Sequence, residues 1–454
     1  MFYGRNNEYN ILNNALKSPN NAIVVYGKRR VGKTTLIKEV IQKHDSIYYE
    51  CIEDTLENNA SLFKAEMIKQ GIDVPSYINF NNFIDIFAYI NSLNKKYVIV
   101  IDEYPYLKTL NNPKVVDSTF QNIIDNNLKN TNLIISGSSM RIMNEILTEG
   151  NALFGRFKEK IMVEELNYVE SSSFYSNKSV YDKIMFYSIF GGSPFVNSSI
   201  NPDISLKENI INNFLKNNTN VYNYADNMLL SDLANKVQAR RIVSILANTK
   251  KKYSEIEAIL DKEKTGKINV ALKSLLELNV IKKVYPINKK NDSKKAYYEI
   301  SDNALRFFYT YVNNNKSILS VIGEEAFYDQ YIEKSLLSYV SYRFEGIVKN
   351  YFSIKVKKGV FKGVLDIGTY YYDDSINKSN GEFDVALKKE AGYEIYEVKF
   401  YKEPLKSNII KKELEQIKQI KELNIISVGF VNVSGFEEQY SDCILLSGED
   451  IYNI

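Results

Sequence analysis

Apolar positions along this chain fall into two kinds of pattern. Short unbroken apolar runs at 22–26, 97–101 and 133–135, and strand candidates at 47–52 and 160–163 that include Glu50 and Lys160, are interspersed with stretches of helical spacing at 11–16, 35–40, 60–70 and 81–93. Unalternated runs of this length suit strands buried on both faces of a parallel sheet, and strands separated by helices predict an α/β fold. Past about 235 the pattern changes. Residues 241–246, 253–260 and 267–278 read as three short helices, the last with Ile268, Leu272, Leu275 and Leu276 in a one-sided stripe. Strands at 280–285 and 296–300 follow, and three helices with a β-ribbon predict a winged helix-turn-helix. A mostly helical run to about 352 then leads to strands at 381–387 and 392–400.

The turn after the first run carries the chemistry. Gly27-Lys28-Arg29-Arg30-Val31-Gly32-Lys33-Thr34 is G-x-x-x-x-G-K-[ST] between a strand and a helix, the context in which such a turn cradles a polyphosphate. Gly27 and Gly32 admit backbone angles and approaches that a Cβ blocks, so successive N–H groups and the positive helix end can face phosphate oxygens. Residues 27–34, with Thr35 and Asp102, are the expected nucleotide ligands. Lys33 is expected to reach the β- and γ-phosphates and Thr34 to ligate Mg²⁺.

Asp102-Glu103 closes the run at 97–101, at the carboxyl end of a strand, where open α/β sheets bind ligands. Asp102 is expected to hold the Mg²⁺ shell and Glu103 to orient and deprotonate the attacking water. Hydrolysis needs both tasks, and one carboxylate cannot easily do them at once. In the Ser136-Gly137-Ser138-Ser139 edge, a hydroxyl reads either as a γ-phosphate sensor or as a helix N-cap. Arg156 reads either as an arginine finger or as half of a surface ion pair.

Composition changes this picture only locally. A net charge of +3 over 454 residues argues neither for nor against nucleic acid. Lys282, Lys283, Lys289, Lys290, Lys294 and Lys295 crowd the ribbon, where they read either as phosphate contacts to DNA or as a solvated tip. Two distant cysteines, Cys51 and Cys443, suit a reducing cytoplasm, and with a single histidine they exclude a Cys/His zinc site of the usual kind. No apolar run approaches the ~20 residues of a membrane span, so no membrane association is expected.

Tyr3-Gly4-Arg5-x-x-Glu8, the double-basic turn 27–34, Asp102-Glu103, Ser136-Gly137-Ser138 and Gly155-Arg156 come in an order that resembles the archaeal-type ATPases. These are AAA-like members of the signal-transduction ATPases with numerous domains. Phe190-Gly191-Gly192-Ser193-Pro194-Phe195 resembles the Gly-Gly-x-Pro segment of their helical lid, and 301–308 resembles the stretch after their winged helix. The resemblance implies ATP as the nucleotide.

Towards the C-terminus, Asp384 and the triplet Glu397-Val398-Lys399 form a D…E-x-K pattern. Strand alternation puts Glu397 and Lys399 on one face. If the Asp384 strand pairs with theirs, Asp384 and Glu397 can share a Mg²⁺, with Lys399 beside the developing charge and Glu345 completing the shell. The pattern resembles the PD-(D/E)XK nucleases, and its place after a winged helix matches the C-terminal domain of many archaeal-type ATPases. Those relatives tend to carry a Trp pair where this chain has Tyr370-Tyr371.

The expected organisation is a P-loop parallel-sheet ATPase core at 1–165, a helical lid at 166–234, a winged helix-turn-helix at 235–315 and an α/β nuclease-like domain at 316–454. The expected activity is Mg²⁺-dependent ATP hydrolysis coupled to a module that binds or cuts DNA. The alternative is a nucleotide-dependent scaffold for a protein partner.

Overall fold

The computed structural model describes residues 3–227, 233, 236–260, 265–290, 292–374, 379–420 and 423–454. Asn291 of the lysine-rich loop, the expected boundary at 234/235 and residues 375–378 of the turn before Asp384 lie outside them. The chain divides into two compact units, Met1–Leu166 with Ser193–Phe195, and Asn167–Gly192 with Val196–Ile454.

The first unit is built on five parallel strands, β1 (Ala22–Tyr26), β2 (Ser46–Glu50), β3 (Val98–Asp102), β4 (Asn132–Gly137) and β5 (Glu159–Met162), in the order β2-β3-β4-β1-β5. Every residue of β3 and β4 is buried, which is why their sequences show no polar alternation. One face of the sheet packs Leu36, Ile37 and Val40 of helix Lys33–Ile41. The other holds Phe63, Phe83, Phe87 and Phe120 from helices Leu56–Lys69, Phe83–Ser92 and Pro113–Asn126. The first two of these helices begin where Thr55 and Asn82 accept the N–H groups of Asn58 and Asp85, as N-caps do.

In the second unit, helices Lys236–Leu246, Tyr253–Leu260 and Thr265–Glu277 accompany a small antiparallel sheet. Its strands are β6 (Lys251–Lys252), β7 (Ile281–Val284) and β8 (Tyr297–Ile300), in the order β6-β8-β7. Helix Glu333–Lys357 then leads to a five-stranded mixed sheet of β9 (Asp366–Asp374), β10 (Ser379–Lys389), β11 (Gly392–Lys399), β12 (Ile425–Asn432) and β13 (Ile444–Ser447). β9, β10 and β11 are antiparallel, whereas β11, β12 and β13 are parallel. The switch follows from helix Ser407–Gln419, which supplies the crossover that a parallel neighbour requires.

The lysine-rich loop departs from expectation. Its first half is a packing element and not a free tip. Ile287 N–H donates to the Thr369 carbonyl at 2.8 Å and the Asn288 amide to the Tyr371 carbonyl at 2.7 Å, so the loop lies along the edge strand β9. Ile287 joins Tyr370, Phe383 and Ile395 in the core of the mixed sheet. Lys290 is tied to Asp366 at 2.6 Å and Lys282 to Glu299 at 3.0 Å. A bare edge strand invites pairing with other chains, and this loop covers it. The count of lysines hid the one apolar residue that decides where the loop goes. Ile287→Ala should lower the stability of the second unit by roughly 2–5 kcal/mol, the usual cost of emptying a buried isoleucine site. Urea unfolding would show it, with nucleotide affinity unchanged.

Candidate functional site

The carboxyl ends of β1 and β3 flank β4, so the turn after β1 and the two acidic residues after β3 meet over the same sheet edge. Gly27 has φ +157°, and a Cβ there would strike the Val163 carbonyl oxygen; the turn therefore hugs the segment after β5 as only glycine can. Gly32, at φ +92°, starts the helix that Lys33 and Thr34 open. Lys33 Nζ donates to the carbonyls of Gly27 (3.0 Å) and Lys28 (2.9 Å), folding back over its own loop. Burial pulls its pKa down, while the nearby Glu103 and Asp102 carboxylates push it up. Lys28 faces Glu165 at 3.7 Å, Arg29 donates to the Tyr106 hydroxyl at 3.3 Å, and Arg30 lies over the Phe195 ring at 4.1 Å. Thr35 is exposed on the outer side of the first helical turn.

Asp102 is held on three sides. Its Oδ2 accepts from Thr34 Oγ1 at 2.9 Å and from the Tyr48 hydroxyl at 2.5 Å, and its Oδ1 accepts from the Glu103 N–H at 3.0 Å. Glu103 sits at φ +50°, a left-handed conformation uncommon outside glycine, which turns the chain sharply off β3. Its Oε2 accepts from both the N–H (3.2 Å) and the hydroxyl (2.9 Å) of Ser138. Ser138 thus fixes the Glu103 carboxylate, and Ser139 makes no side-chain cap.

Arg156 is a correction. It precedes the amino end of β5, whose Glu159 pairs with Ile23 of β1, so it lies at the opposite edge of the parallel sheet from the turn at 27–34. There its guanidinium grips Asp125 at 2.9 Å and the Ala152 carbonyl at 2.8 Å. It has no place at the nucleotide site of its own chain. Of the two readings of this residue, the geometry takes the surface ion pair, because strand direction and not sequence order decides which edge a residue reaches. Arg5 is the converse case. Buried beneath the turn, it donates to the Val31 carbonyl at 2.9 Å and to the Glu164 carbonyl, and so braces the loop from below.

Comparison with known proteins gives this site its family. Residues 2–196 match the family model described as an ATPase domain predominantly from Archaea, and 308–417 match that of archaeal and bacterial proteins of unknown function. The uncharacterized protein MJECL04 of Methanocaldococcus jannaschii is 30% identical over 387 residues, 82% of each chain. The chain belongs to this family of archaeal-type P-loop ATPases. Among solved structures, it is similar to the Walker-type ATPase paby2304 of Pyrococcus abyssi, with TM-score 0.49 and 17% identity over 68% of this chain and 96% of that one. It is also similar to the Aeropyrum pernix ORC2 protein in its ADPNP-ADP complexes, with TM-score 0.48 and 10% identity over 70% and 95%.

The ATPase has a second cluster of ionisable groups in its C-terminal sheet. β10 and β11 pair with Val385 opposite Tyr396, and one further step of that register sets Asp384 opposite Glu397. Asp384 Oδ2 accepts the Val398 N–H at 2.8 Å. Lys399 lies 3.4 Å from Glu397 and 3.0 Å from Glu413 of the crossover helix. Glu345, on helix Glu333–Lys357, faces Lys349 at 3.8 Å. Burial, and after it the Asp384 carboxylate, raise the pKa of Glu345 to about 7 and of Glu397 to about 8; Asp384 is itself raised, chiefly by burial.

The expected set of Glu345, Asp384 and Glu397 is nevertheless not preformed as a metal shell, and no group of three or more His, Cys, Asp or Glu among the described residues is arranged as one. The physical reason is that lysines and a backbone N–H occupy the carboxylates instead. The donor set remains one of hard oxygens that repel each other, which fits Mg²⁺ or Mn²⁺. Lys349, one turn beyond Glu345 on the same helix, and Glu413 and Lys250, the last 3.5 Å from Glu382 on β10, escaped the sequence reading because none lies on the strands that carry Asp384 and Glu397. Cys51 and Cys443 are free thiols, and no helix among the described residues is long and apolar enough to cross a membrane.

The raised carboxylates carry a sign. The native state binds more protons than the unfolded one, so the stability this contributes is complete below the ordinary glutamate value of 4.5 and is lost as pH rises through about 7 and 8. The nucleotide-free protein should therefore melt at falling temperature as pH rises from about 4.5 to about 8, and Glu397→Gln should flatten the fall.

Proposed function

We propose that this chain is a Mg²⁺-dependent ATPase whose nucleotide state is coupled to a nuclease-like C-terminal domain acting on DNA. The nucleotide half of this reading rests on one observation, the shared hydrogen bonding of Thr34 and Asp102. A hydroxyl whose proton is taken by a carboxylate keeps a lone pair for a cation, and that carboxylate is set to accept from the cation's water shell. Thr34 and Asp102 would hold Mg²⁺ there, and its charge would offset that of the phosphates. Lys33 would leave its own carbonyls for the β- and γ-phosphates. Glu103, oriented by Ser138, would take the proton of the attacking water.

In the C-terminal half, a helix, three antiparallel strands, a crossover helix and a parallel strand bring Asp384, Glu397, Lys399 and Glu345 to one place. That arrangement supports metal-assisted attack of water on a phosphodiester, with Asp384 and Glu397 as ligands and Lys399 stabilising the charge that develops. The middle segment is read as a winged helix, with exposed Lys283, Lys289, Lys294 and Lys295 available to a DNA backbone. Coupling is supported by the lid helices. The Tyr181 ring stacks on Phe400 at 4.8 Å, one residue beyond Lys399, and Tyr168 donates to the Ile451 carbonyl at 2.6 Å. Movement of the lid would reach the strand that carries Glu397 and Lys399.

Glu103→Gln should retain nucleotide affinity and slow ATP turnover by ~10²-fold or more, the range of a lost general base. Turnover at the wild-type rate would remove Glu103 from that role. Mn²⁺ should raise the melting temperature of the wild type, and Asp384→Asn should abolish the part of that shift that persists in Lys33→Ala. Cleavage of a linear DNA by wild type but not Asp384→Asn would establish the nuclease; intact DNA and RNA would leave the nucleotide-dependent scaffold.

A further inference from the structure

Tyr48 lies on β2, the edge strand of the ATPase sheet, and neither the nucleotide turn nor the acidic pair includes it. In the parallel register of β2 and β3, Tyr48 pairs with Val100 and Glu50 with Asp102. Tyr48 is therefore the diagonal neighbour of Asp102, a separation that an aromatic side chain can span. Its hydroxyl does so, meeting Asp102 Oδ2 at 2.5 Å, the same oxygen that takes the Thr34 hydroxyl at 2.9 Å.

The tyrosine is held from every side. Gln70 clamps its backbone on the open edge of the strand, accepting the Tyr48 N–H at 2.9 Å and donating to its carbonyl at 2.7 Å. Lys38, one turn beyond Thr34 on the same helix, sits over its ring at 4.7 Å. In this contact the Tyr48 hydroxyl is the donor and the Asp102 carboxylate the acceptor. A short hydrogen bond to a carboxylate is among the strong ones. With Tyr48 and Thr34 on Oδ2 and the Glu103 N–H on Oδ1, the plane of the carboxylate is determined by three donors from three different segments.

We propose that Tyr48 is a positioning residue of the nucleotide site, holding the Asp102 carboxylate in the orientation that receives the hydrated Mg²⁺ of ATP. This rests on the Mg²⁺ role given to Asp102 above. Outer partners that orient a metal-binding carboxylate set metal affinity without touching the metal, and losing one costs roughly 10- to 100-fold. The nucleotide itself would be held by the backbone of the turn and by Lys33, whereas Tyr48 reaches the turn at Thr34, with which it shares the Asp102 oxygen.

The test is a titration of full-length protein with a fluorescent non-hydrolysable ATP analogue, at fixed Mg²⁺ levels and in EDTA. Tyr48→Phe removes the hydroxyl and keeps the ring that packs against the helix. Its affinity in EDTA should equal that of the wild type, while the Mg²⁺ concentration giving half of the Mg²⁺-dependent gain in affinity should rise about tenfold or more. An unchanged Mg²⁺ requirement overturns the role of Tyr48 and leaves that of Asp102 intact. Equal loss of affinity with and without Mg²⁺ makes Tyr48 a part of the pocket wall and overturns it too. A wild type whose affinity is indifferent to Mg²⁺ overturns the Mg²⁺ reading of Asp102 and this inference with it.

Discussion

Much of the first unit depends on keeping negative charge at the end of a fully buried strand. Asp102 terminates β3, every residue of which is out of water, and a carboxylate there is costly unless its oxygens are satisfied. Thr34, Tyr48 and the Glu103 N–H satisfy them. These partners come from the helix after the nucleotide turn, from the edge strand and from the sharp turn off β3 itself. The requirement to solvate one carboxylate thus ties together the segments that a nucleotide must meet at once. Lys33 answers the same field with opposite charge, drawn down by burial and held up by Glu103 and Asp102.

The C-terminal sheet meets the same difficulty differently. Asp384, Glu397 and Glu345 are brought close by register and by one helix, with the Val398 N–H as a backbone donor to Asp384. Lysines add to this: Lys399 between Glu397 and Glu413, and Lys349 against Glu345. Burial, and after it the residual repulsion, raise Glu345 and Glu397 to about 7 and about 8. A divalent cation relieves such a cluster better than a lysine can, because it places two charges among the oxygens and accepts them as ligands.

Much of this was legible without coordinates. Unbroken apolar runs marked the three inner strands, β1, β3 and β4, because burial on both faces leaves no room for polar alternation. The glycine spacing at 27–34 marked the turn because a Cβ at Gly27 would strike the Val163 carbonyl oxygen. Alternation along 392–400 put Glu397 and Lys399 together because a strand has a period of two. Element ends were less legible, as with the long helix that runs on to Lys357 and not to about 352.

What the sequence determined alone is therefore what depends on neighbours along the chain: strand and helix type, the nucleotide turn, the acidic pair and the D…E-x-K spacing. What only the tertiary structure decided is what depends on strand order and direction. Arg156 goes to the far edge of the sheet because β5 runs parallel to β1. Ile287 carries a lysine-rich loop into the core of another sheet, and Tyr48 reaches Asp102 across a strand pair separated by more than 50 residues. Spacing along a chain constrains such contacts only through the loop-closure entropy, which grows slowly with length. It cannot say which distant partners the sheet will set side by side.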